Sequence, residues 1–258
     1  MSETTSAEQA LKEAALRYHE NPEPGKLAIR VTKPMTTARD LSLAYSPGVA
    51  EACMEIHRDP ANAARFTGKQ NRVAVISNGT AVLGLGDIGA AASKPVMEGK
   101  VALFKKFAEI DGFDIEVDET DPEKLAEIVI ALEPTFGAVN LEDIKAPDCF
   151  IVERICKERM NIPVFHDDQH GTAIVVAAGA INALHLAEKS FDQIRVVSTG
   201  GGAAGIACLN LLVDMGLRRE NVWLFDIDGL VHDGRSDLHE TKAAYAQPNP
   251  GKPAFWEK

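Results

Sequence analysis

The stretch "VVSTGGGAAG", Val196–Gly205, sets the reading of the fold. An apolar strand runs into three consecutive glycines, and a small-residue helix follows. Gly200, Gly202 and Gly205 satisfy G-x-G-x-x-G, and a second strand, "VWLF", ends about two dozen residues later at Asp226. Strand, glycine turn, helix, strand and terminal acid form the context that a dinucleotide fingerprint requires. The glycines let a backbone approach a pyrophosphate at a helix N-terminus, so Gly200, Gly201, Gly202, Ala203, Ala204 and Gly205 are the expected cradle. Asp226 is placed to hydrogen-bond a ribose hydroxyl. The same stretch could also be an ordinary tight turn. An acid at the strand end favours NAD, whereas Arg235 nearby leaves NADP open.

Moving outward, strand-like and helix-like segments alternate along most of the chain. "NRVAVIS", "FDIEVD", "FGAVNLEDI" and "IPVFHD" read as strands, with amphipathic segments between them, and "TAVLG" reads as a further short strand. Such alternation predicts an α/β fold with mostly parallel sheets. "DPEKLAEIVIALEP" carries an Asp cap and a proline at its first helical position. "ARDLSLAYSPGVAEAC" reads as a loop leading to a helix that starts near Pro47, and Leu11, Ala14, Ala15 and Tyr18 predict an amphipathic helix before it.

Composition narrows the function classes. The chain has 258 residues, 45% hydrophobic and 25% charged, with a formal net charge of −11. That acidity argues against nucleic acid and against anionic membrane surfaces as partners. No apolar run approaches the roughly 20 residues of a membrane span. The N-terminus lacks a secretory pattern, and Cys53, Cys149, Cys156 and Cys208 form no C-x-x-C pair, as in a reduced cytoplasmic protein.

Two further groups carry chemistry. Glu142 and Asp143 end one strand, and Asp167 and Asp168 end another. In a parallel sheet strand C-termini share an edge, so these acids would repel unless a hard cation such as Mg²⁺ or Mn²⁺ neutralised them. They could equally cap helices. Lys94 stands among small residues within "GLGDIGAAASKPVMEGK"; beside a metal it could act as a base, and otherwise it is a solvated helix-end lysine. Tyr45 could donate a proton or simply pack. His166 and His170 lack the intervening glutamate of H-E-x-x-H and are expected to hydrogen-bond neighbours.

Together, "AYSPGVAEAC", "NGTAVLGLGDIGAAASKPVMEGKVALFK", "NLEDI" and "FHDDQHGTAIV", followed by the Gly-rich loop, resemble the bacterial malic enzymes in order and spacing. The resemblance implies oxidative decarboxylation of (S)-malate to pyruvate and CO₂ with reduction of NAD or NADP. It implies Lys94 as general base, Asp167 orienting it, Tyr45 as the acid that protonates C3, and Glu142, Asp143 and Asp168 as ligands of Mg²⁺ or Mn²⁺. It further implies a homodimer or higher homo-oligomer built on an N-terminal helical arm. The organisation expected is an N-terminal malic domain over residues 1–165 and a Rossmann-type domain over 166–258. Only about 50 residues follow Gly205, so that second domain is expected to be incomplete and the chain a truncated one. A malolactic-type decarboxylase would use the same residues, and a non-catalytic dimerising fragment is the alternative of another class.

Overall fold

The computed structural model describes residues 6–249. An N-terminal arm holds α1 (Ser6–Glu20), α2 (Ala38–Ala44), α3 (Val49–Arg58) and α4 (Ala63–Phe66). A first α/β unit follows with β1 (Arg72–Ser77), α5 (Ala90–Ala108), β2 (Asp111–Glu116), α6 (Pro122–Ala131), β3 (Ala138–Leu141), α7 (Asp148–Arg159) and β4 (Val164–His166). A π-helical turn, Asp167–Gly171, leads into α8 (Thr172–Leu186). The second unit comprises β5 (Val196–Thr199), α9 (Ala203–Asp214), β6 (Val222–Asp226), β7 (Gly229–Leu230) and α10 (Glu240–Ala243).

The first sheet has the order β2-β1-β3-β4, and every pairing is parallel. Central β1 is buried on both sides, as a parallel sheet sandwiched by helices requires. Its side chains alternate: Ala74 and Ile76 join Leu125 and Val129 of α6 and Val152 of α7, while Val75 packs with Met97 and Val101 of α5. The second sheet pairs β5 with β6 in parallel and β6 with β7 as an antiparallel hairpin. Its core joins Ala177 of α8 to Ile206, Leu209 and Leu212 of α9, Leu224 of β6, and Tyr245. The Tyr245 hydroxyl donates to Asn210 Oδ1 at 2.6 Å, which satisfies the one polar atom of a fully buried ring.

Two local expectations fail. Residues 38–44 form helix α2 and not a loop. Thr37 accepts from the Asp40 backbone N–H at 3.1 Å and Asp40 returns a bond to the Thr37 N–H at 2.9 Å, a capping box that starts the helix. "TAVLG" is no strand: Gly84 and Gly86 hold φ of 78° and 75°, which extended backbone cannot accommodate, and only an isolated bridge joins Val82 to Gly86. Among the described residues no helix is long and apolar enough to cross a membrane. All four cysteines are free, and burial pushes the thiols of Cys149 and Cys156 up to about 12.

The start of α6 supplies a test of local capping. Asp121 accepts from the N–H groups of Glu123 at 3.0 Å and Lys124 at 3.2 Å. Replacing it with alanine orphans both donors, and Asp121→Ala is expected to lower the free energy of urea unfolding by about 1 kcal/mol. An unchanged midpoint and slope would show that the cap contributes nothing.

Candidate functional site

Because all four strands of the first sheet run the same way, their C-termini share one edge, and the acids follow there directly. Glu142 and Asp143 leave β3, and Asp167 and Asp168 leave β4. Asp143 adopts a left-handed φ of 53°, a conformation that short polar side chains tolerate. Its backbone N–H donates to Asp168 Oδ2 at 2.8 Å, so the two strand ends are tied together. Its carbonyl accepts from the Ala81 N–H at 3.0 Å, and the Lys145 N–H donates to Thr80 Oγ1 at 3.0 Å, which bring the loop after β1 to the same edge.

Glu142, Asp143 and Asp168 each offer a carboxylate oxygen, and the three atoms lie within 4.8 Å of one another. Ligands about 2.0–2.6 Å from a hard divalent cation would span such a triangle. Glu142 and Asp143 are buried and Asp168 is half-buried. Burial pushes the Glu142 carboxyl up to about 7; Lys100 pulls against that shift and the Asp168 charge adds to it. Burial and then Asp168 push Asp143 up to about 6. Carboxyls that resist ionisation in one another's company are the donor set a cation would relieve, so the residues present fit Mg²⁺ or Mn²⁺.

The lysine at this cluster is Lys100. Its Nζ lies 3.0 Å from Glu142 Oε1 and 2.7 Å from Asp167 Oδ2, with the side chain 21% exposed. Burial opposes its charge, but Asp167 and Glu142 outweigh it and hold the ammonium above the ordinary lysine value. The structure does not bring Lys94, the expected base, to this cluster. Lys94 is 49% exposed and pairs with Asp114 and, at 3.4 Å, with Glu116 on β2; Asp167 accepts from Lys100 instead. The cause is helical phase. Both lysines lie on α5, and six residues at 3.6 per turn place them about 120° apart. The sequence signal for Lys100 was present in "PVMEGK", about one and two-thirds turns beyond the residue singled out.

Tyr45 closes α2 by donating its backbone N–H to Leu41 O at 3.0 Å, and it stands 78% exposed. No hydrogen bond joins its hydroxyl to the acidic cluster among the described residues. His170 Nε2 meets Glu153 Oε1 at 2.5 Å, as expected of a hydrogen-bonded histidine. His166 differs: it is fully buried, neither ring nitrogen has a hydrogen-bond partner, and Nδ1 lies 3.7 Å from Asp168 Oδ2.

At the second sheet, the glycine turn between β5 and α9 borders a cleft of about 620 Å³. Gly200, Gly201, Gly202, Asp226, His239 and Lys242 line it, together with Pro147 and Phe150 from the first unit. A Cβ on Gly205 would overlap the Gly200 carbonyl oxygen, whereas Cβ atoms on Gly200 or Gly202 would enter open space. The third glycine thus lets helix and strand close up, and the first two leave room for a ligand. Ala203 and Ala204 open α9 beside that space. Asp226 receives Arg235 at 2.8 and 3.2 Å and Lys242 at 2.7 Å. Burial alone would raise its pKa, but these cations hold it at about 2.

Parallel strands with a Gly-rich βαβ turn define a dinucleotide-binding α/β protein. Residues 24–127 match the malic enzyme N-terminal domain and residues 169–253 the malic enzyme NAD binding domain. The chain belongs to the malic enzyme family. It is 60% identical over 243 residues to the NADP-dependent malic enzyme of Escherichia coli and 59% identical over 247 residues to the NAD-dependent malic enzyme of Rhizobium meliloti. These alignments cover 94% and 95% of this chain but 32% of each relative, so the chain spans about a third of their length. The crystal structure of the NAD-dependent malic enzyme of Thermotoga maritima superposes with a TM-score of 0.83 at 41% identity, covering 97% of this chain and 64% of that one.

The raised carboxyls fix a sign for the pH dependence of the cation-free chain. Glu142 and Asp143 bind protons more tightly folded than unfolded, since 4.5 rises to about 7 and 3.8 to about 6. Between those limits the folded state holds more protons, so stability falls as pH rises. In EDTA, Glu142→Gln is expected to flatten the decline between pH 5.5 and 8 by on the order of 2 kcal/mol. Urea unfolding at several pH values checks this, and a variant curve parallel to that of the parent contradicts it.

Proposed function

We propose that this chain carries the substrate and metal site, and the adenosine-side half of the cofactor site, for oxidation of (S)-malate by NAD⁺ or NADP⁺ with loss of CO₂ to give pyruvate. The observation that supports it most is Lys100 held between Glu142 and Asp167 at the margin of three convergent carboxylates. Glu142, Asp143 and Asp168 would hold Mg²⁺ or Mn²⁺. When bound, the cation would polarise the malate C2 oxygen and hold the negative charge left as CO₂ departs, and the nicotinamide would accept hydride from C2.

The chain's own part is proton handling and positioning. Lys100 takes the proton of the C2 hydroxyl as the C2–H bond breaks, and Asp167 keeps the amine turned toward that oxygen. The acids that hold Lys100 protonated are those a cation would share. Once their charge is shared, burial is left to pull the amine toward a base usable near neutral pH. After CO₂ leaves from C3, a proton must return to that carbon. Lys100, left protonated by the first step, would return it in this reading, the role that the resemblance gives to Tyr45. The exposed Leu43, Tyr45 and Met54 on α2 and α3 suit a homo-oligomer formed through the arm.

The test is malate-dependent formation of reduced nicotinamide and pyruvate with Mn²⁺. Lys100→Met is expected to lower kcat by about 10²–10⁴, whereas Lys94→Met stays within about threefold, as befits loss of an exposed ion pair. Loss of turnover in Lys94→Met with Lys100→Met still active would reverse the assignment.

A further inference from the structure

The segment that carries two of the site acids has an uncommon backbone. Asp167–Gly171 is a π-helical turn, closed by the Thr172 N–H donating to the Asp167 carbonyl five residues back. Such turns are rare and occur mostly singly, frequently at functional sites. No side chain caps its start. At its end a Cβ on Gly171 would overlap Asp167 Oδ1, so the turn folds closely around that carboxylate. Asp167 meets Lys100 from this turn, and Asp168 meets the Asp143 N–H. Both placements depend on how the turn is held.

The next two residues of the turn are bound by one side chain, Glu153 in the middle of α7. Gln169 Nε2 donates to Glu153 Oε2 at 3.3 Å, and His170 Nε2 lies 2.5 Å from Glu153 Oε1. Lys157 Nζ, one turn along α7, lies 2.7 Å from the same Oε1. The Glu153 side chain is only 10% exposed, and Gln169 is buried. Burial would raise the Glu153 pKa, but His170 and Lys157 hold it below the ordinary value, so the group is a carboxylate at neutral pH. A carboxylate can only accept, so His170 Nε2 is the donor. Bonds of this charge-assisted kind are stronger than neutral ones. Glu153 is not one of the three converging carboxylates, and both of its oxygens are engaged by the turn.

Resting on the cation reading above, we propose that Glu153 is a positioning residue: by holding Gln169 and His170 it fixes the turn so that Asp168 stays level with Glu142 and Asp143, and Asp167 stays on Lys100. It acts through the turn and touches neither cation nor substrate. A purely structural role would differ in its consequence for a folded variant. Loss of a merely stabilising bond lowers the free energy of unfolding and leaves the cation affinity of the folded state unchanged. Loss of positioning loosens one of three ligands and lowers that affinity.

Mn²⁺ titration, followed by the paramagnetic resonance of the free ion, reads that affinity without turnover. Glu153→Gln keeps the shape of the side chain but has one acceptor oxygen, and it turns an amide N–H₂ toward a donor of the turn. It is expected to weaken binding about tenfold, as removal of a supporting group commonly does. His170→Ala cuts one of the two links and is expected to weaken binding in the same direction. Cys156→Ala, which empties space in the core beneath α7, is the control. Its urea midpoint is expected to fall while its Mn²⁺ affinity stays within about twofold of the parent. Unweakened binding by Glu153→Gln, or by His170→Ala where Glu153→Gln does not fold, overturns the proposal and leaves the cation site standing. An equal weakening in Cys156→Ala overturns it too, since general loosening would then account for the effect. Absence of a saturable site in the parent overturns it together with the cation reading.

Discussion

Three carboxylates with oxygens inside a 4.8 Å span, two of them sealed from water, impose a cost that the rest of the first unit is arranged to meet. Parallel strands deliver them to one edge, and the Asp143 N–H binds Asp168 so that the ends of β3 and β4 cannot drift apart. Asn140 donates to Glu142 at 2.8 Å, and Lys100 supplies the nearest counter-charge. One ammonium cannot neutralise this set, since Glu142 and Asp143 still hold protons up to about pH 7 and 6. The residual negative potential is what a divalent cation would satisfy, and the same potential governs how readily Lys100 releases a proton.

Much of this was legible in the sequence. Alternation of strands and helices gave the layered α/β fold, because a parallel sheet forces helical crossovers and a shared C-terminal edge. The acids at 142, 143 and 168 could be placed together on that ground alone. The identity of the lysine could not. Lys94 and Lys100 sit on one helix, and only its rotation about the sheet decides which faces the acids; the small residues around Lys94 suggested enclosure, but β2 offers it Asp114 and Glu116 at a half-exposed margin. The capping box at Thr37 and Asp40 was readable and outweighed the turn-like residues after it. "TAVLG" misled because its valine and leucine suggest a strand, whereas Gly84 and Gly86 bend the backbone back on itself.

Asp226 shows a different limit. Its position after β6 follows from the motif, but its role depends on Arg235, in an irregular segment, and Lys242, on the short α10, with no spacing rule to bring them back. Backbone geometry makes the site, and side chains arriving from outside the motif decide what it can bind. Relatives about equally similar to this chain carry names that specify NADP in one case and NAD in the other, so overall similarity does not make that distinction either.

The account stands on the convergence of Glu142, Asp143 and Asp168 upon one cation. Titration of the chain with Mn²⁺, followed by the paramagnetic resonance of the free ion, measures this directly. One tight site per chain is expected, weakened at least about tenfold by Asp168→Asn, the size of effect that loss of a coordinating or supporting group commonly has. Absence of a saturable site, or an affinity unchanged by Asp168→Asn, would contradict it.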